Sequence, residues 1–422
     1  MTTLGTTPPP RTAPAAALSW PEARAAAAAA AGPLAVRDIP LRRAHGRALA
    51  RPLTARMPLP AFDTAAMDGY AVAGPGPWTV AGRVLAGQEP PVARLGAGQA
   101  LEVATGARVP AGTGAVLPYE DALRTGASVA GAVRPGRHVR RRGEECPAGA
   151  EVLPPGAVLT PAALGLAASL GYDRVAVHRR PRVALLVTGD ELVRRGTPPP
   201  GRVRDAVGPL LPGVVAWAGG AAQPVTYLPD GRPPLAAALT RAAAGADAVA
   251  VCGASSRGPA DHLRPALADL GAEALVDGVA CRPGHPQLLA RLPGGGPPVV
   301  GLPGNPYAAF AACLTLLVPL LERLAGRTPP PPWRTRLTPA PDAARAARRA
   351  PARHPRDTRL VPVALDGTRA VPVGHDRPGL LWGAAAADAV AVLPPGGAPE
   401  SAADVDLEVD VEVEVELLRL PR

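Results

Sequence analysis

The chain has 422 residues, a formal charge of +10 and 47% hydrophobic residues, but aromatics make up only 3%. That length exceeds one ordinary domain and predicts two to four, with cores built from Val, Leu and Ala. Scattered arginine and so few rings to stack bases argue against nucleic acid and for an anionic small molecule.

The 45 basic residues are all arginine, Ile39 is the only isoleucine and Asn305 the only asparagine. Residues with AT-rich codons are scarce, so Phe62, Met67 and Asn305 stand out. Four cysteines at 146, 252, 281 and 313 show no Cys-x-x-Cys spacing, so neither a zinc site nor a redox pair is indicated. Separated thiols suit a reducing cytoplasm and are expected to be buried rather than reactive. The first residues lack the basic-then-apolar order of a secretory signal, and Ala25 to Ala31 is too short to span a bilayer. The expectation is a cytoplasmic protein with no membrane partner.

Residues 1–17, rich in Thr, Pro and Ala, predict a disordered tail. Ser19-Trp20-Pro21-Glu22 is a capping-box pattern that opens a helix to about Ala31. Residues 68–138 alternate short Val/Leu runs with Gly/Pro turns and read as a small β-rich unit. A helix is expected from about Pro161 to Leu170. Three apolar runs, Arg182 to Val187, Ala248 to Cys252 and Pro298 to Leu302, each lead into a glycine-containing polar loop. A helix is expected over about 307–325. Strand, loop, helix in repetition predicts a doubly wound α/β domain, with its ligand at the carboxyl ends of the strands. Thr328 to Pro332 is a Pro-rich linker, and β character returns from about 357. Val405 to Leu417 alternates apolar and acidic residues, a long strand with one buried and one solvated face.

Several loops carry chemistry. Pro60 to Ala71 holds Asp63 and Asp68 around turns, which by itself fits Asx-turn chemistry equally well. Thr188-Gly189-Asp190-Glu191 could bring a backbone and carboxylates to a hard cation, or could simply cap a helix. Gly253 to Asp261 supplies Ser255, Ser256 and backbone N–H groups for a phosphate, without the Lys-Ser/Thr of a nucleotide P-loop. Arg282-Pro283-Gly284-His285-Pro286 offers two potential cations on a rigid turn, suited to an oxyanion or to a solvated loop.

Together these segments are more specific than any one. Phe62-Asp63, Ala66-Met67-Asp68-Gly69-Tyr70-Ala71, Thr105-Gly106-Ala107 and Arg140 to Glu145 resemble the molybdopterin molybdenumtransferases, the family of bacterial MoeA and the gephyrin E domain. Thr188 to Glu191 and Leu302-Pro303-Gly304-Asn305-Pro306 match as well, collinearly from about residue 40 onward.

The resemblance implies a multidomain α/β plus β fold. An elongated split domain would take residues 18–67 and 139–178, with a small β domain inserted at 68–138. A doubly wound α/β molybdopterin-binding domain would take 179–327 and a C-terminal β-barrel 333–422. The implied reaction inserts molybdenum from molybdate into adenylated molybdopterin and releases AMP. Asp68, Glu191 and Asp261 are the implied catalytic residues, with Glu191 and Asp261 holding Mg²⁺. Thr105, Arg142, Glu145, Gly189, Asp190, Asp205, Ser255, Ser256, Arg282, His285, Pro303, Asn305 and Pro306 are implied to bind substrate. A homodimer is implied, with the adenylylating enzyme and apo-molybdoenzymes as further partners.

The sequence departs from the family at four places. Arg282 and His285 replace the two Lys of Lys-Pro-Gly-Lys-Pro, Asp205-Ala206-Val207 stands for Asp-Ser/Thr-Asn expected after the first α/β helix, Ala254 replaces a Gly, and Pro378 replaces a Ser. Two function classes follow: a working transferase, or a paralogue that binds molybdopterin or a partner enzyme without inserting metal.

Overall fold

The computed structural model describes residues 17–253, 258, 261–338, 353–396 and 413–421. Contacts divide the chain into two compact units, one of residues 38–177 and one formed by residues up to 37 together with 178 onward.

In the smaller unit, the β-rich insert is a six-stranded sheet whose strands run from Gly69–Val72 to Ser128–Ala130. Its two faces bury separate apolar groups, Leu101 and Val103 on one and Tyr70, Trp78 and Leu117 on the other. Around it, two-residue strand pairs tie residues before the insert to residues after it, as Thr64–Ala65 does with Val139–Arg140. The helix Pro161–Ser169 starts where Thr160 Oγ1 accepts the Ala163 N–H at 3.2 Å.

The larger unit opens with α1, Trp20–Ala29. Glu22 reaches back to accept the Ser19 N–H at 3.0 Å and hydroxyl at 2.6 Å, as the sequence pattern predicts. Residues 18–37 were expected with the split domain; instead α1 packs into the α/β core, with Trp20, Ala23 and Ala27 buried. The reason is local. Alanines give α1 a smooth face for a second helix, Trp20 donates its indole N–H to Thr315 Oγ1 at 3.1 Å, and Arg24 donates to Leu314 O.

Three strands, β1 (Arg182–Thr188), β2 (Ala248–Cys252) and β3 (Pro298–Leu302), lie parallel and adjacent, as their apolar runs predict. Residues Leu288–Arg291 and Glu273–Asp277 extend the sheet antiparallel beyond β3. Helix α2 spans Val207–Trp217, and α3 spans Pro306–Leu324 with a π turn at Cys313–Leu317. By length and composition α3 could cross a membrane, but 89% of its apolar window is buried inside the protein. It is a core helix.

After the proline linker, five strands close into a barrel, with Thr358–Asp366 pairing both neighbours and finally Ala389–Leu393. Its last strand is Val413–Arg419, with Val415 and Leu417 buried and Glu414 exposed. The expected alternation is thus seen from 413 onward; Val405 to Val411, like residues 1–16, lies outside the described residues.

The barrel is hydrogen-bonded to the α/β layer. Strand Val279–Arg282 pairs in parallel with Thr358–Asp366, and Tyr307 in α3 donates its hydroxyl to Leu360 O at 2.8 Å. Tyr307 is fully buried, so Tyr307→Phe leaves a carbonyl without its donor. We expect a loss of about 1–3 kcal/mol in denaturant unfolding; an unchanged midpoint would show that this link carries no stability.

Candidate functional site

Within the smaller unit the sequence motifs build one polar knot. Asp63 Oδ2 pairs with the Arg141 guanidinium at 2.7 Å, and Oδ1 accepts the Arg142 N–H at 2.8 Å. Burial works to raise the Asp63 pKa, but those hydrogen bonds and the Arg141 charge outweigh it and hold the carboxyl below its usual range. Asp68 Oδ1 accepts both the Thr105 N–H at 2.6 Å and the Thr105 hydroxyl at 2.9 Å. Thr105's backbone bond first, and its hydroxyl second, lower the Asp68 pKa.

Gly69 follows because nothing larger fits: a Cβ there would sit 2.0 Å from Leu117 O, at φ +153°. Phe62 and Met67, singled out by their rarity, are exposed on this knot at 42% and 36%. Arg142 contributes its backbone, and Glu145 its N–H to Leu59 O at 3.0 Å; both side chains are exposed.

In the larger unit the carboxyl ends of β1, β2 and β3 converge. Gly253 lies so close to β1 that a Cβ would meet Thr188 O at 2.3 Å, and a Cβ on Gly304 would meet Gly253 Cα at 3.7 Å. Gly189 and Gly253, at φ +143° and +99°, let both loops turn within that space. Asp190 and Asp230 exchange backbone bonds, Asp190 N–H to Asp230 Oδ2 at 3.2 Å and Asp230 N–H to Asp190 Oδ1 at 3.3 Å. Glu191 is exposed, its carboxylate folded back over Gly189. Asp261 Oδ2 accepts the Gly258 N–H at 2.6 Å. Ser255 and Ser256 lie outside the described residues.

Two sequence expectations are corrected here. The turn at Asp190-Glu191 does not open a helix, because a ribbon of Leu192–Val193 against Val203–Arg204 intervenes before α2. The carboxylate at the helix start is Asp205, which precedes the first α/β helix instead of following it. It is 6% exposed, its Oδ1 accepts the Val207 and Gly208 N–H groups at 3.0 and 2.9 Å, and its Oδ2 accepts the Tyr227 hydroxyl at 2.7 Å. Through the two backbone N–H groups Asp205 is tied to the first turn of α2.

Next to the strand ends lies a cavity of 670 Å³. It gathers the predicted Arg282, His285, Pro303 and Asn305, while Pro306 follows Asn305 at the start of α3. It also holds groups the motifs did not flag: Arg353, His354, Asp357, Arg359, Asp376 and Arg377. The dense charge of Arg353 to Arg359 was the available signal.

Arg282 pairs with Asp357 at 2.7 Å and Arg359 with Asp376 at 2.5 Å, so two arginines are held in place by carboxylates. His354 Nδ1 lies 3.2 Å from an Asp357 oxygen but accepts the Asp357 N–H at 2.9 Å, which makes it an acceptor, not one half of an ion pair. Burial first, then the charges of Arg282, Arg359 and Arg356, lower the His354 pKa against the pull of Asp357. His285 Nδ1 meets Val279 O at 2.9 Å and must therefore carry its proton there. Pro378 sits at the rim, and its carbonyl accepts the Tyr307 N–H at 2.9 Å, capping α3.

Among the described residues no three Cys, His, Asp or Glu side chains form a closed metal cage. Glu191 and Asp261 still suit Mg²⁺ chemically, since that ion takes one or two carboxylates and keeps its waters. Burial raises the Cys252 and Cys281 thiols to about 12, and Cys313 is also buried, in line with inert core thiols.

Thr105→Val removes one of the two bonds that hold the Asp68 carboxylate. The Asp68 titration followed by NMR should move up toward the ordinary range, so protonation begins at higher pH on acidification. An unmoved titration would show that the backbone bond suffices.

Known proteins resemble this chain over most of its length. A family model described as the MoeA N-terminal region (domain I and II) matches residues 18–171, and one described as a probable molybdopterin binding domain matches residues 184–323. The chain is 34% identical over 316 residues to the molybdopterin molybdenumtransferase of Synechococcus elongatus, covering 71% of this chain and 78% of that protein. It is 35% identical over 316 residues to molybdopterin molybdenumtransferase 2 of Mycobacterium tuberculosis, covering 70% and 76%. A crystal structure of the molybdopterin biosynthesis MoeA protein of Pyrococcus horikoshii superposes with a TM-score of 0.73 at 28% identity, over 95% of this chain and 99% of that one. The motifs, the order of the folded parts and the relatives agree, and this chain belongs to the molybdopterin molybdenumtransferase (MoeA) family.

Proposed function

We propose that the chain inserts molybdenum from molybdate into adenylated molybdopterin, releasing AMP and molybdenum cofactor. The observation that carries this reading is the cation-rich cavity beside the carboxyl ends of three parallel strands, in a chain whose relatives are named for that transfer. The strand ends hold the pterin and its phosphate, and the cavity holds the oxyanion.

Arg353 and Arg377 line that cavity with Arg282 and Arg359, and Asp357 and Asp376 orient the last two. Arg359 and Arg282 thus keep their forks in fixed positions before any anion arrives, which lowers the ordering cost of binding. His354 stays neutral at physiological pH and adds no charge. His285 keeps Nδ1–H on Val279 O, leaving Nε2 as its remaining polar atom. Asn305 lines the same wall and makes no side-chain bond to the start of α3, so its amide is available to substrate.

Glu191 and Asp261 would hold Mg²⁺, which when bound neutralises charge on the phosphoanhydride. Asp68, held as carboxylate by Thr105, belongs to the same functional set by its motif. The setting we propose is a cytoplasmic homodimer that receives its substrate from an adenylylating enzyme and delivers product to apo-molybdoenzymes.

Reconstitution with adenylated molybdopterin, Mg²⁺ and molybdate tests this directly. AMP release and activation of an apo-molybdoenzyme are expected, with Asp261→Ala slowing AMP release by roughly 100-fold, the scale of losing one charge-stabilising group. Tight pterin binding with no AMP release at high molybdate would instead leave a binding protein.

A further inference from the structure

The ribbon that separates β1 from α2 carries four arginines, Arg194, Arg195, Arg202 and Arg204, all exposed. Its two short strands pair Leu192 with Val203 and Val193 with Arg204, which places Arg194 and Arg204 at the same end. Backbone bonds stitch it on both sides, Val203 N–H to Glu191 O at 2.9 Å and Asp205 N–H to Val193 O at 3.0 Å. Pro198-Pro199-Pro200 stiffens the loop between them.

The Arg194 guanidinium stacks 5.1 Å from the Tyr227 ring centroid, and the charges of Arg194 and Arg204 both fall on the Tyr227 phenol. The adjacent carboxylate, Asp205, is already occupied by two backbone N–H groups and the Tyr227 hydroxyl. Among the described residues, Arg194, Arg195 and Arg204 have no ion-pair partner. Arg202 is engaged differently, donating to the Asp190 carbonyl and so fastening the ribbon to the strand-end turn.

Among the described residues, two guanidinium groups without an ion-pair partner stand at one end of the ribbon, next to the turn of Asp190 and Glu191, and together they make a bipartite surface. The cations suit the non-bridging oxygens of a phosphate, which guanidinium forks bind bidentately. The carboxylates suit the hard cation that accompanies a phosphoanhydride. We propose that Arg194 and Arg204 form the clamp for the adenylate phosphate of the substrate, an inference that rests on the transferase reading above. The helix start behind them takes no part, since Asp205 already accepts its N–H groups.

AMP is the probe, titrated calorimetrically with Mg²⁺ against the full chain. The double variant Arg194→Ala with Arg204→Ala is expected to bind AMP at least tenfold more weakly. Arg194→Lys with Arg204→Lys keeps charge and ring packing but not the fork, and should fall in between. Arg241→Ala, an exposed arginine on another helix, controls for net charge and should bind as the unsubstituted chain does. Circular dichroism of each variant checks the fold. Undiminished AMP binding by the alanine pair, or an equal loss in Arg241→Ala, overturns the clamp while leaving the transferase reading intact. No AMP binding by the unsubstituted chain, in the presence of molybdopterin binding, removes the adenylate reading and the clamp with it.

Discussion

The close approach of three strand ends is the constraint from which the rest of the larger unit follows. Gly253 leaves no room for a side chain against Thr188 O, and Gly304 packs on Gly253 in turn. Parallel strands place their following loops on one side of the sheet. With the strand ends this close, the turn after β1 at Gly189 and the turn after β3 at Gly304 share a single crevice with Gly253 at the end of β2. The residues at those turns are small or rigid for the same reason.

The charge chemistry is shaped by a lysine-free composition. Arginine does not deprotonate near neutral pH, so its charge cannot be tuned by burial in the way a lysine's can. What remains adjustable is geometry. In the cavity this is done by pairing: Asp357 and Asp376 each spend a carboxylate on aiming an arginine. In the smaller unit Asp63 does the same for Arg141 while fixing the Arg142 backbone. Carboxylates here act chiefly as positioning groups, and the depressed pKa values of Asp63 and Asp68 reflect that use.

Much of this was legible in the sequence, and the limits were physical. The three parallel strands came through because each is buried on both faces and so reads as an unbroken apolar run. The capping box at Ser19 was legible because both partners are three residues apart. The place of α1 was not, since an alanine face says that a helix packs but not against what. The ribbon after Glu191 was missed because two-residue strands have no period to detect, and its Gly and Pro residues read as loop. The Asp357 and Asp376 partners of the cavity arginines were invisible for another reason: they lie 75 and 17 residues from them along the chain.

Pro378 stands where the family pattern has a serine, and its carbonyl closes the first turn of α3. Leu360, from the barrel, receives the Tyr307 hydroxyl of the same turn. The barrel is therefore docked on α3 through main-chain carbonyls, so the register of its backbone against the first turn of that helix, and not the proline linker, sets where it sits.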